Sequence, residues 1–138
     1  MSAEENKALV RRCWEESFNK GNLAVVDELV APTYSWHGPG QDVSGREGIK
    51  QLISLYRVAF PDIHMTFEDQ IAEGDKVASR WTIRGTHTGD LLGIAPTGKQ
   101  GTMTGIVISR LAGHTIAEEW ENFDQLGLLQ QLGAMPRP

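Results

Sequence analysis

Thr115-Ile116-Ala117-Glu118-Glu119-Trp120-Glu121-Asn122-Phe123-Asp124, continued by Gln125-Leu126-Gly127-Leu128-Leu129-Gln130-Gln131-Leu132-Gly133, reads as a carboxylate-rich strand running directly into a short apolar helix. Alternation places Ile116, Glu118, Trp120, Asn122 and Asp124 on one face of that strand and Ala117, Glu119, Glu121 and Phe123 on the other. Trp120 is the aromatic expected to face inward, and parity carries Asp124 with it. A carboxylate desolvated on an apolar wall has a raised pKa, which suits it to take and return a proton near neutral pH. The same Asp is equally suited to cap the helix that follows. On residue type both readings stand.

Working back from this strand, Thr102 to Leu111 is a long β-branched run, separated from it by the turn Ala112-Gly113-His114. From Ile63 the period is two: Ile63, Met65, Phe67 and Ile71 alternate with polar residues, and Asp69 falls by parity on the apolar face. After the turn Glu73-Gly74-Asp75, Val77, Trp81, Ile83 and His87 share a face opposite Arg80 and Arg84. Thr88 to Gly98 is too rich in Gly and Pro for a regular element, yet carries Leu91, Leu92 and Ile94, as a loop folded over something apolar does.

The N-terminal part is helical. Leu9, Val10, Cys13, Trp14 and Phe18 follow the three-and-four spacing of an amphipathic helix from Ala3 to Phe18, stopped at Asn19-Lys20-Gly21-Asn22. Asn22 is placed to cap a short second helix, Leu23 to Leu29, ended by Pro32. Thr33 to His37 has strand composition, Gly38-Pro39-Gly40 breaks it, and Ser44-Gly45-Arg46-Glu47 has capping-box spacing. A third helix follows, with Ile49, Leu52, Ile53 and Tyr56 on one face. Three helices, an early strand and an antiparallel meander make one α+β domain spanning residues 1–138.

The net charge of -5 and the absence of any basic run argue against nucleic acid and anionic membrane surfaces as partners. The acidic N-terminus does not resemble a signal peptide and no apolar run reaches spanning length, so a cytoplasmic location is the expectation. The single cysteine, Cys13, reads as a core residue. No zinc spacing, nucleophile elbow or nucleotide-binding glycine loop is present. His64 and His114 read as surface residues. His37 and His87 fall at strand ends beside glycine-containing loops, where pocket mouths form. Trp36, Phe60, Met65, Trp81 and Trp120 are candidates to line a cavity for an apolar or aromatic ligand.

The runs Ala72-Glu73-Gly74-Asp75-Lys76-Val77-Ala78-Ser79-Arg80-Trp81, Gly85-Thr86-His87-Thr88-Gly89, Gly93-Ile94-Ala95-Pro96-Thr97-Gly98-Lys99 and Glu119-Trp120-Glu121-Asn122-Phe123-Asp124 with Gln131-Leu132-Gly133 resemble, in this order, the SnoaL-like polyketide cyclase family of the nuclear-transport-factor-2-like superfamily. The resemblance implies a cone-shaped α+β barrel of the cystatin-like kind, in which a curved antiparallel sheet wraps the N-terminal helices around a deep apolar pocket. It also implies pairing through the sheet as a homodimer. The activity it implies is intramolecular aldol cyclisation of a polyketide ester without metal or organic cofactor, with Asp124 as acid/base and His37 and His87 holding substrate oxygens. Other activities on the same scaffold are ketosteroid-type isomerisation and epoxide hydrolysis. The latter needs an Asp-Arg-Asp relay, for which Asp69, Arg80 or Arg84, and Asp124 are the residue types present. A non-catalytic small-molecule-binding module is the third reading.

Overall fold

Ser2 and Glu5 close a reciprocal capping box at the start of helix α1, Ala3–Lys20: the Ser2 hydroxyl accepts from the Glu5 N–H and the Glu5 carboxylate accepts from the Ser2 N–H. Gly21, at φ +69°, ends the helix in the left-handed conformation that glycine adopts without penalty. In this computed structural model, which describes residues 1–134, α2 (Ala24–Leu29), β1 (Val30–Gly38), β2 (Gln41–Ser44) and α3 (Gly45–Ala59) follow. The meander is β3 (His64–Glu73), β4 (Lys76–Thr86), β5 (Gln100–Ala112) and β6 (Thr115–Phe123), closed by α4 (Gln125–Gln131).

The six strands form one sheet in the order β2-β1-β6-β5-β4-β3. It is mixed rather than wholly antiparallel, because β1 lies parallel to β6. Their register slips between Val30 and Ser35. Pro32 falls inside that interval and, lacking an N–H, offers no ladder donor there. Helices α1 and α3 cover one face of the sheet, burying Val10, Cys13, Trp14, Ile49, Ile53 and Tyr56 against it. Asn19 locks α1 to β3 through both halves of its amide, donating to the Met65 carbonyl and accepting from the Met65 N–H. Cys13 is wholly buried, as expected of a core residue, and burial holds its thiol well above the usual range.

Three local expectations fail for identifiable reasons, and a fourth, for the strap, holds at one residue. Ser44 precedes α3 but makes no side-chain cap, because Gly45 enters the helix at φ +77° and Ser44 is still paired to Ser35 in the β2 ladder. Asn22 does not cap α2; its amide donates to Glu16 instead. A bulge between Phe67 and Asp69 resets the alternation of β3. Asp69 therefore turns outward to pair with Arg80, and Ile71, expected inside, is 74% exposed. In the strap between β4 and β5 only Leu91 of the three aliphatic residues is fully buried, tied by a bridge to Ile94.

Candidate active site

The last strand presents the face opposite to the one that parity and Trp120 indicated. Trp120 is 39% exposed on the outer face, stacked on His37 of β1 with ring centroids 5.9 Å apart. The inner face carries Glu119, Glu121 and Phe123, and all three line a cavity with about 550 Å³ of empty space, including its open mouth. The remaining wall is apolar. Helices α1 and α3 contribute Trp14, Phe18, Ile49, Leu52 and Tyr56, and the sheet contributes aromatic, Met and aliphatic side chains from β1, β3, β4 and β5.

Two glutamates in such a wall need donors, and distant parts of the chain supply them. Glu119, 2% exposed, accepts from the Tyr34 hydroxyl at 2.6 Å, the Trp14 Nε1–H at 3.0 Å and the Ser109 hydroxyl at 2.5 Å. Register explains the convergence: Ser109 and Trp36 flank Glu119 on β5 and β1. Glu121 accepts from the Trp36 Nε1–H at 2.8 Å and is half-buried.

The donor sets separate the two acids. Burial pushes the Glu119 carboxyl up to about 7, held back by the bonds from Ser109, Tyr34 and Trp14. Burial, reinforced by the neighbouring charge of Glu119, pushes Glu121 up to about 8, with Trp36 and Trp81 opposing. Glu119 is the better anion, because three donors satisfy its oxygens. Glu121 has spare acceptor sites and a pKa near working pH, which is the arrangement that lets one carboxyl donate and accept a proton by turns.

The other candidates scatter. Asp124 is exposed at the start of α4, where its carboxylate accepts from the Gly127 N–H at 2.9 Å. It leaves the strand geometry at φ -89° and ψ 71°, so β6 parity does not extend to it. Replacing Asp124 with Ala is expected to cost about 1 kcal/mol through the lost cap and to leave turnover nearly unchanged, as thermal melts and assays in parallel will show. His37 lies on the outer face between Asp42 at 3.0 Å and Glu118 at 2.7 Å, and hydrogen bonding to these two carboxylates, Glu118 first, raises its pKa. Glu118 also accepts from Arg110 at 3.3 Å, so its place is in this surface cluster.

His87 is fully buried but is not among the lining residues. Its Nδ1 accepts from the Thr97 N–H at 3.2 Å, tying together the two ends of the strap, and its ring packs on Phe60 with centroids 5.6 Å apart. Of the five cavity candidates, Trp36, Met65 and Trp81 line it, whereas Phe60 and Trp120 do not. Asp69, Arg80, Arg84 and Asp124 are all solvent-exposed, Asp69 and Arg80 pair with each other, and none of the four lines the cavity. No group of three or more His, Cys, Asp or Glu side chains suited to a metal occurs among the described residues. No described helix is long and apolar enough to cross a membrane.

Sequence alone points away from Glu119 and Glu121, because a lone strand ranks Trp above Glu for the interior. The corrective signal was present in Phe123, which shares their parity, but the donors that make burial possible, Trp14, Tyr34, Trp36 and Ser109, lie on other elements.

The family model for the SnoaL-like polyketide cyclases matches residues 8–132, which include every residue lining the cavity. The chain belongs to this family. A relative in it, nogalonic acid methyl ester cyclase of Streptomyces nogalater, is 30% identical over 128 residues, spanning 85% of this chain and 90% of the relative. Among solved structures, the polyketide cyclase candidate IdmH of Streptomyces antibioticus is 34% identical with a TM-score of 0.81, covering 93% of this chain and 98% of that one. A Catenulispora acidiphila protein with a ketosteroid isomerase-like fold superposes with a TM-score of 0.76 at 19% identity, covering 94% of this chain and 97% of that one, a likeness of fold alone. The SnoaL-like fold is thus the mixed-sheet α+β cone described above.

Proposed function

We propose that this SnoaL-like protein is a proton-transfer enzyme that closes a ring in an apolar, carbonyl-bearing substrate, with Glu121 as the acid/base. The observation that carries this reading is a carboxyl with spare acceptor sites, raised to about 8, on the wall of an otherwise apolar cavity. A carbon flanked by carbonyls needs little more. Glu121 takes its proton, the enolate carbon attacks a second carbonyl held nearby, and the resulting alkoxide recovers the proton from Glu121. Glu119, anchored by Trp14, Tyr34 and Ser109, is the member of the pair that ionises first, and its charge keeps Glu121 basic.

Family membership favours polyketide esters as the substrate class, and nogalonic acid methyl ester is the first compound to try. Among the described residues the lining contains no Lys or Arg, so the free acid of such a compound would meet two carboxyls and no counter-ion from them. Ring closure followed by absorbance and mass spectrometry, with the ester consumed and the free acid untouched, supports the reading. Carbonyl probes that bind but never exchange protons at their α-carbon would favour a binding module instead.

Pairing of two copies through the outer sheet face is part of the same proposal. Ile71, Ala78, Ile108, Trp120 and His37 fall in one register row across β3, β4, β5, β6 and β1, and Ile106 flanks it. Ile71, Ile106, Ile108 and Trp120 are each at least 39% exposed in the single chain, an apolar stripe suited to a self-complementary interface. Sedimentation is expected to give a dimer for the native chain and a monomer for Ile108→Glu; a native monomer at high concentration rules the pairing out.

A further inference from the structure

Among the described residues, two buried side-chain polar atoms have no hydrogen-bond partner, Trp81 Nε1 and His87 Nε2. Of the two residues, Trp81 lines the cavity. An unmet buried N–H is costly, and one on a cavity wall is a standing donor for whatever oxygen enters.

The sheet register sets where that donor lies. Phe67, Trp81, Gly105 and Phe123 form one row across β3, β4, β5 and β6. Gly105 has no side chain, and a Cβ there would stand 2.3 Å from indole Cζ2 and 2.7 Å from Cε2. The indole therefore lies over Gly105 by its nitrogen-bearing edge, with ring centroids 6.4 Å from Phe123 of β6. Its N–H comes near enough to Glu121 to favour the charged carboxylate, without closing a bond of normal geometry.

Building on the reading of Glu121 as acid/base, we propose that Trp81 is a second catalytic residue, whose indole N–H donates to the carbonyl oxygen of a neutral, flat ketone or ester seated against Glu121. The charge that forms on the substrate oxygen gives such a donor its role. When the α-carbon gives its proton to the Glu121 carboxylate, the C–H pair becomes the enolate double bond and the carbonyl π pair moves onto oxygen. The oxygen then carries a negative charge inside an apolar wall that holds two acids, and Trp81 supplies a preorganised donor where that charge forms. Gly105 is a positioning residue, because any larger side chain displaces the indole.

The test uses a matched pair of bicyclic probes, 1-tetralone and its hydrocarbon tetralin, with calorimetry and ¹H–¹⁵N spectra of protein labelled at the indole nitrogens. The native protein is expected to prefer the ketone by about tenfold, and the ketone alone is expected to move the Trp81 N–H proton downfield. Trp81→Phe and Gly105→Ala should lose the preference while still binding tetralin. If neither variant folds, the native spectrum carries the test, its Trp81 signal assigned through contacts to Phe123 and Gly105. A preference retained in Trp81→Phe, or a Trp81 resonance that does not respond to saturating ketone, overturns the proposal. Glu121→Gln separates the two readings: it should keep the ketone preference and lose proton transfer, and full turnover in that variant would sink the role of Glu121 while leaving the Trp81 result intact.

Discussion

Glu121→Gln is expected to fold normally and to lower turnover by a factor of about 10² to 10⁴, the range associated with loss of general acid/base help. The substitution is nearly isosteric, and the amide oxygen still accepts from the Trp36 Nε1–H that holds Glu121 in place at 2.8 Å. What disappears is the ability to take a proton. Because the cavity keeps its shape, substrate affinity should change little, so the loss should fall on the turnover number rather than on the Michaelis constant. A parallel loss in binding would mean that Glu121 only anchors the substrate.

Glu119→Ala is expected to have the largest effect on stability, about 3–5 kcal/mol, because it removes one buried acceptor and leaves three donors without a partner. Trp14 on α1, Tyr34 on β1 and Ser109 on β5 all close on this side chain, so the carboxylate ties the helical layer to three strands. Glu119→Gln should cost less, since its amide oxygen still serves Tyr34 and the Ser109 hydroxyl can turn to accept. Chemical denaturation of the two variants beside the native chain measures the difference.

The same acids impose a pH dependence whose sign follows from their shifts. Both have native pKa values above the ordinary 4.5, about 7 for Glu119 and about 8 for Glu121, so the native state holds protons that the unfolded chain releases. Their contribution is fully present below about 4.5 and is lost as the pH rises through 7 to 8. The melting temperature should therefore fall from about pH 4.5 to about pH 8 and level off above it, and Glu121→Gln should flatten that fall. An unchanged slope in the variant would assign the alkaline loss elsewhere.

Local patterning made most of the architecture legible. The amphipathic spacing of Leu9, Val10, Cys13, Trp14 and Phe18 and the alternation of Met65 and Phe67 each encode one buried face, and the observed elements follow them. The features that local patterning does not encode depend on other parts of the chain. The bulge after Phe67 shifts Asp69 and Ile71 to solvent, and no residue in β3 announces it. The parallel pairing of β1 with β6 joins segments about 80 residues apart, which strand composition cannot express. The inner face of β6 lies one residue out of phase with its sequence pattern for the same reason. Trp120 looks like core until His37 is seen stacked on it outside, and Glu119 looks like surface until Tyr34, Trp14 and Ser109 are seen around it. The family's Asp before the Gln-Leu-Gly helix drew attention to Asp124, whose carboxylate instead caps α4.

Carbon-13 NMR titration of the Glu121 side-chain carboxyl tests the account most directly, since the mechanism requires this group to be partly protonated at neutral pH. The expected midpoint is about 8, with Glu119 titrating beside it near 7 and the two curves coupled. A Glu121 carboxyl that titrates below pH 5, as an ordinary exposed glutamate does, contradicts the assignment of the acid/base.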